Sequence, residues 1–291
     1  MDIGIGLPAA VRGVDRRALL DWAVRAEERG FSSLGTFDRL VYANYEPLVA
    51  LSAAAAVTER IGLLTDVLLV PQRNNPVLVA KQAATVDSIS GGRLTVGVAT
   101  GWREDDFQAG GVPFEERGRR FGEALKVMRR VWAGKPLDGA APVGPPPDRE
   151  GGPELLVGGA ADIAVRRVVE YGDGWTQGGN TPENLAEMRE RIIAAWAEAG
   201  RDGAPRMVAL CYFALGDDAR EMADRDLLHY YAWLGEETAQ TIAGSAAKDA
   251  DTVKGYLSAF ESAGCDELIL FPSSGDPEQV GLLAEAAGLS K

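Results

Sequence analysis

A carboxylate set inside an apolar run is the first feature with chemical consequences. Asp66 lies between Leu63-Leu64-Thr65 and Val67-Leu68-Leu69-Val70. Burying it is costly unless something hydrogen-bonds it. A strand end facing a ligand removes that cost, and so does an internal position where the Asp accepts from backbone donors; both placements stay open. Thr36-Phe37-Asp38-Arg39 puts a second carboxylate next to a guanidinium. At a strand end the pair could orient a polar ring or transfer a proton, or it could be an ordinary loop ion pair. Thr100-Gly101-Trp102 follows the glycine-spaced Gly97-Val98-Ala99. Small residues there let a ligand approach the backbone, and the indole offers a stacking surface. The adjoining Arg103-Glu104-Asp105-Asp106 has the character of a solvated charge run.

Two glycine-rich segments add polar backbone. Gly158-Gly159-Ala160-Ala161 precedes a helical pattern through Val165, Val168 and Val169. Free N–H groups at such a helix start bind phosphate without any side chain, although a tight strand-to-helix turn needs the same residues, and no GxGxxG fingerprint is present. Gly172-Asp173-Gly174-Trp175-Thr176-Gln177-Gly178-Gly179-Asn180 offers Gln177 and Asn180 to a cofactor amide or a substrate. Asn180-Thr181-Pro182-Glu183 equally fits a helix cap with proline at the first helical position.

The inventory also excludes chemistry. The single histidine, His229, sits in Leu227-Leu228-His229-Tyr230-Tyr231, an aromatic helical stretch. Packing or surface is its ordinary role; reaching a pocket, with Tyr230 or Trp233, is the alternative. A Ser-His-Asp triad has no other base to draw on, and a histidine-ligated metal is disfavoured. Cys211 and Cys265 show no metal or redox spacing, so no metal and no disulfide are expected, as in a reducing cytoplasm. The net charge of −13 argues against a nucleic-acid partner and makes a small-molecule substrate the default. No apolar run has the length of a membrane span. The opening Met1-Asp2-Ile3-Gly4-Ile5-Gly6-Leu7-Pro8 resembles a first strand more than a signal peptide, having no basic segment.

These residues need elements to position them. Short β-rich runs alternate with longer amphipathic ones, which is the pattern of βα units and a parallel sheet. The expected strands are Ile3–Leu7, Ser33–Thr36, Gly62–Val67, Leu94–Val98, Glu154–Val157, Gly174–Thr176, Met207–Ala214 and Glu267–Phe271. Leu19-Leu20, Ala23-Val24 and Glu27 fall at helical spacing before Gly30, and Ala124-Leu125, Val127-Met128 and Val131-Trp132 repeat this before Gly134. Eight units fill the 291 residues as one (β/α)8 TIM-barrel domain, with functional groups on the loops after the strands; an open doubly wound sheet is the alternative. The proline- and glycine-rich 134–152 stretch is expected as a surface loop or lid. Asp218–Ala243 and Asp249–Ala263 are expected as two extra helices between strands seven and eight, over the barrel mouth.

Several blocks in order resemble the bacterial-luciferase-like superfamily of flavin- and deazaflavin-dependent oxidoreductases. They are Arg60 to Trp102, Val112-Pro113-Phe114-Glu115-Glu116-Arg117-Gly118-Arg119-Arg120, Val157-Gly158-Gly159 with Gly172-Asp173-Gly174-Trp175, and Cys265-Asp266-Glu267-Leu268. The resemblance spans nearly the whole chain. It implies a (β/α)8 barrel holding coenzyme F420 or reduced FMN across the strand C-termini. It places Asp38 near the ring, Asp66-Val67 at a non-prolyl cis peptide behind the ring, and Thr100, Gly101 and Asp105 along the ribityl chain. Gly158, Gly159, Ala160 and Ala161 would take the phosphate. It also implies a homodimer.

Two positions depart from the family pattern. Sugar-phosphate dehydrogenases of the family carry a catalytic histidine after the strand-two Asp and a glutamate after the strand-four Thr-Gly; here these are Arg39 and Trp102. Their acid/base mechanism does not carry over, and Asp38, Arg39, Trp102 and His229 stay as candidates for the catalytic role. Three functions follow from the resemblance: F420-dependent hydride transfer to or from a small organic substrate, which the compact chain favours; a luciferase-like monooxygenase using O2 and reduced FMN from a separate reductase; and a non-catalytic flavin-binding or partner subunit.

Overall fold

The alternation of apolar runs and amphipathic segments folds as eight parallel strands, each entering a helix. The computed structural model describes residues 1–289 other than Asp138, Ala140 and Asn180. The strands are β1 (Asp2–Gly6), β2 (Ser33–Thr36), β3 (Gly62–Leu69), β4 (Leu94–Ala99), β5 (Glu154–Gly158), β6 (Gly174–Gln177), β7 (Arg206–Phe213) and β8 (Glu267–Pro272). All eight expected strands are present, each ending within two residues of its expected bounds. They close in sequence order, with Ile3 beside Leu268 and Ile5 beside Leu270 joining β1 to β8. That pairing excludes the open sheet.

The helices owe their positions to local signals. In α1 (Arg16–Glu28) the buried Leu19, Trp22, Ala23 and Ala26 form one stripe, and the Asp15 carboxylate caps the first turn through the Ala18 N–H. The next two are α2 (Pro47–Ala55) and α3 (Pro76–Ser90); Asn75 caps α3 through Leu78 N–H, and Gly91 ends it in a left-handed turn. A short α4 (Glu104–Ala109) precedes α5 (Arg117–Trp132), whose Phe121, Ala124, Leu125, Met128, Val131 and Trp132 face the barrel. Then come α6 (Asp162–Tyr171) and α7 (Pro182–Glu198). One apolar cluster fills the space between strands and helices; a second, including Leu64, Leu156, Val208 and Ile269, fills the barrel.

One expectation changes and another narrows. After β7 the chain forms three helices, α8 (Ala219–Tyr230), α9 (Glu236–Gly244) and α10 (Ala250–Ser262), before β8 and the closing α11 (Glu278–Ala287). The expected helix over 218–243 breaks at a 3-10 turn, Ala232–Leu234, followed by Gly235 at φ 88 and ψ 158, a conformation that L side chains rarely adopt. The described residues of the 134–152 stretch form a surface loop, one of its two expected forms, away from the barrel mouth. It precedes β5 and so belongs to the N-terminal end of the barrel, where Asp87 of α3 accepts from the Asp148 N–H at 2.9 Å and the Arg149 N–H at 3.3 Å. Among the described residues no helix is long and apolar enough to cross a membrane.

That N-terminal end is closed by charge. Glu267 is 1% exposed; it accepts from Ser33 Oγ at 2.6 Å and pairs with Arg206, which also pairs with Glu154. Tight backbone contact sets the middle of the barrel. A Cβ on Gly97 would stand 2.2 Å from the Thr65 carbonyl oxygen, beside the bond from Thr65 Oγ1 to Gly97 O. Here β3 shifts register against β4 between Thr65 and Leu68, and the Asp66–Val67 peptide bond within the shift is cis. Gly97→Ala is therefore expected to destabilise by about 1–3 kcal/mol or more, as overpacking does. Gly122→Ala, on α5 with open space around it, should gain roughly 0.5–1 kcal/mol. Thermal denaturation of the two variants checks both signs; a Gly97→Ala protein as stable as the parent contradicts the packing described.

Candidate active site

Each strand delivers its last residues to one mouth, and the loops there enclose a cavity of about 760 Å³. β3, β4, β5 and β6 supply one wall of mostly small groups: Asp66, Val67, Ala99, Thr100, Gly101, Gly158, Gly159, Ala160, Thr176, Gly178 and Gly179. The opposite wall comes from β2, β7 and the turn after α8: Phe37, Leu210, Tyr212, Tyr230, Tyr231 and Trp233. Trp102 of the β4 loop meets Trp233 edge-to-face, ring centroids 4.7 Å apart, so the two walls touch at the rim. The Arg103 guanidinium covers Trp233 at 4.7 Å.

Asp38 and Arg39 are neighbours in sequence with different partners. The Asp38 carboxylate, 4% exposed, accepts from Leu69 N–H at 3.0 Å and from Arg73 Nη2 at 2.8 Å. Arg73 also lies 2.7 Å from Glu46. Burial raises the Asp38 pKa above the ordinary carboxylate value, with Arg73 and the Leu69 N–H opposing it. Arg39 Nε donates to Asp106 Oδ2 at 2.5 Å, and Asp106 Oδ1 accepts from the Leu40 and Val41 N–H groups at 3.0 and 2.7 Å. Asp106 is fully buried, so the expected solvated charge run fails at one of its four residues: Asp106 turns inward and ties α4 to the β2 loop. Both crossed pairs are buried, and removing one partner of such a pair leaves an uncompensated charge.

Asp66 is a barrel-interior carboxyl, not a backbone-satisfying one. Its Oδ1 accepts from Thr176 Oγ1 at 2.5 Å, and its buried Oδ2 has no partner among the described residues. Burial pushes it up to about 7; the Thr176 hydroxyl opposes this, and the charge of Glu267 adds to it. At the other end of the small-residue wall, Gly159 takes φ 118, Ala161 is the extended residue before α6, and the first N–H groups of α6 face the mouth region without a side-chain cap.

Four expected site residues lie off the cavity wall. Asp105 pairs with Arg103. Gln177, the residue after Thr176, turns to the outside of the barrel and donates to the Thr181 carbonyl at 3.0 Å. Ala161 stands just beyond Ala160, exposed. His229 is exposed, its ring 5.9 Å from that of Tyr42. Asn180 lies outside the described residues. Asp38, Arg39, Asp66, Val67, Thr100, Gly101, Trp102, Gly158, Gly159 and Ala160 do meet around one cavity. Sequence reasoning missed Tyr212, Tyr231, Leu210, Arg73 and Asp106. For the β7 pair the signal was the period-2 series Val208, Leu210, Tyr212.

The family model for luciferase-like monooxygenases matches residues 1–286. The chain belongs to this family. It is 31% identical over 237 residues to the pyrimidine monooxygenase RutA of Stutzerimonas stutzeri, covering 72% of this chain and 61% of that one. It is 29% identical over 232 residues to the F420-dependent glucose-6-phosphate dehydrogenase of Nocardia farcinica, covering 72% of this chain and 68% of the relative. The fold also matches an F420-dependent secondary alcohol dehydrogenase in complex with an F420-acetone adduct, with TM-score 0.80 and 22% identity, over 100% and 99% of the two chains. This is a luciferase-like oxidoreductase or monooxygenase barrel, and its cavity occupies the mouth where such barrels place their chemistry.

Asp66 gives this luciferase-like protein a pH signature. Its folded value of about 7 lies above the unfolded value near 3.8, so its stabilising contribution is complete below the unfolded value and is lost as pH rises through the folded one. Between about pH 4 and pH 8 the parent should lose on the order of 2–4 kcal/mol that Asp66→Asn does not lose. Asp226, also pushed up to about 7 by burial, affects both proteins equally. Urea unfolding across that range checks this; parallel pH profiles for the two proteins contradict it.

Proposed function

We propose that this luciferase-like protein is a coenzyme F420-dependent oxidoreductase that transfers hydride to or from a small organic substrate. The observation that carries the choice of cofactor is the electrostatics of the expected phosphate end. Gly158 to Ala160 and the start of α6 offer backbone N–H groups and the positive end of a helix dipole. Among the described residues the cations lining the cavity are Arg39 and Arg103, paired with Asp106 and Asp105. Arg191, near this end, donates to the Ala160 carbonyl at 3.0 Å and pairs with Asp162 at 2.7 Å. The phosphodiester of F420 carries one negative charge, whereas a terminal phosphomonoester such as that of FMN carries about −1.5 to −2 at neutral pH. Amides without a free cation suit the smaller charge. Gly159, Ala160 and Ala161 are exposed, which leaves an exit for a chain continuing beyond a diester.

In this assignment Asp66 and Val67 back the ring, Thr100 and Gly101 flank the ribityl chain, and Gly158, Gly159 and Ala160 hold the phosphate. The bound cofactor supplies or accepts the hydride. The protein positions the substrate on the aromatic wall and excludes water. A reduced-FMN monooxygenase is the second reading, favoured by the relation to a pyrimidine monooxygenase; in it a separate reductase delivers the flavin.

Titration of the purified protein with F420 and with FMN, followed by fluorescence, separates the two. F420 should bind at least about tenfold more tightly, a difference of about 1.4 kcal/mol; tighter FMN binding reverses the assignment. Substitution at Gly159 would test backbone strain as much as the site, because of its positive φ. Ala160→Asp is the cleaner probe: it should weaken F420 binding by about tenfold or more through charge repulsion with an unchanged melting temperature. Unaltered affinity removes this loop from the site.

A further inference from the structure

The aromatic wall contains a pair of phenols that no step above uses. The Tyr212 and Tyr231 hydroxyls are 2.5 Å apart, and among the described residues neither has another hydrogen-bond partner. Two hydroxyl protons share one internal bond, so one O–H is left to donate elsewhere. Its identity follows from depth. Tyr212 is 8% exposed on β7, while Tyr231 is half-buried at the end of α8. The Tyr231 hydroxyl is pushed up to about 12 by burial; the Tyr212 hydrogen bond and the Arg39 charge oppose that rise, and Asp226 adds to it. The Tyr212 hydroxyl is raised well above its ordinary value. The shallower hydroxyl, that of Tyr231, is the one placed to offer its O–H to a ligand in the cavity, with Tyr212 beneath it as its hydrogen-bond partner.

The other candidates for proton transfer are occupied or shielded. Asp38, Arg39 and Asp106 are held in the crossed ion pairs, and the free oxygen of Asp66 is buried. Tyr230, packed edge-to-face on Tyr231 at 4.9 Å, has its hydroxyl oxygen engaged by Arg39. Because the lining cations are neutralised by aspartates and the wall is otherwise apolar, an anionic substrate has no counter-charge.

We propose that the Tyr231 hydroxyl, held by Tyr212, is the hydrogen-bond and proton donor to the carbonyl oxygen of a small uncharged ketone, and accepts the proton back when the alcohol is oxidised. This rests on the hydride-transfer function proposed above. In the reducing direction a bound reduced deazaflavin would supply a hydride, with its two electrons, to the substrate carbonyl carbon. The C=O π pair moves onto oxygen, which takes the Tyr231 proton. The O–H electron pair remains on Tyr231 as phenolate, held by the Tyr212 hydroxyl, until solvent returns a proton. Tyr231 is then a catalytic residue and Tyr212 a positioning residue.

The test uses the protein saturated with whichever oxidised cofactor the titration selects, so that its result does not depend on F420 being that cofactor. Isotope-edited infrared spectroscopy of bound acetone, cyclohexanone and acetophenone reads the hydrogen bond to the carbonyl directly. The carbonyl band should be lowered in the parent, less lowered in Tyr212→Phe, and at its apolar-solvent position in Tyr231→Phe. His229→Gln, outside the cavity, should match the parent. In turnover, Tyr231→Phe should lower kcat by about 10²-fold or more, the usual scale of a lost general acid, with a smaller change in KM. A band equally lowered in Tyr231→Phe overturns the proposal, and so does failure of all three ketones to bind.

Discussion

The mouth of this barrel depends on two buried ion pairs that cross. Asp38 reaches forward to Arg73 beyond β3, and Arg39 reaches to Asp106 beyond β4. Together they fasten the loop after β2 to the next two loops of the barrel. Charges taken out of water are stabilising only when geometry and extra hydrogen bonds compensate their desolvation. Here the Leu69, Leu40 and Val41 N–H groups complete the carboxylates. The arrangement has a functional consequence: charged side chains surround the cavity, yet they largely cancel one another.

A cavity neutralised in this way selects by shape and by hydrogen bonding. The wall from β3 to β6 carries glycine, alanine, threonine and a half-neutral carboxyl, a surface that a flat ring and a chain of hydroxyls can approach closely. The wall from β2, β7 and the turn after α8 carries rings and phenols. Cofactor and substrate would then occupy opposite walls, with Trp102 and Trp233 joining the walls at the rim. The departure of Arg39 and Trp102 from the sugar-phosphate dehydrogenase pattern fits this division. At these two positions this chain has a structural cation and a rim aromatic.

Much of this was legible in the sequence because it depends on local pattern. Period-2 runs and helix stops fixed the eight strands, and Asp66 declared itself as the carboxylate inside an apolar run. What failed depends on direction in space. Asp38 and Arg39 are adjacent, so a mutual pair was the natural expectation; strand geometry sends them to different partners. Asp106 looked like one charge among four, since nothing local shows which member of Arg103-Glu104-Asp105-Asp106 turns inward. Gln177 and Thr176 differ by one residue and therefore by one face of β6. His229 and Tyr230 differ by one helical step, about 100°, which places one at the surface and the other on the cavity. The Tyr212–Tyr231 pair joins β7 to the break before Gly235, and the expectation of a continuous helix there hid it.

The central claim, that the small-residue wall holds the cofactor and the phenol wall the substrate, is tested most directly by a crystal structure of the protein with F420 bound. The account predicts the tricyclic ring against Asp66 and Val67, its other face toward Tyr231, and the phosphodiester at the N–H groups beginning α6. A ring stacked on the tyrosine wall, or a phosphate bound away from Gly158 to Ala160, would contradict it.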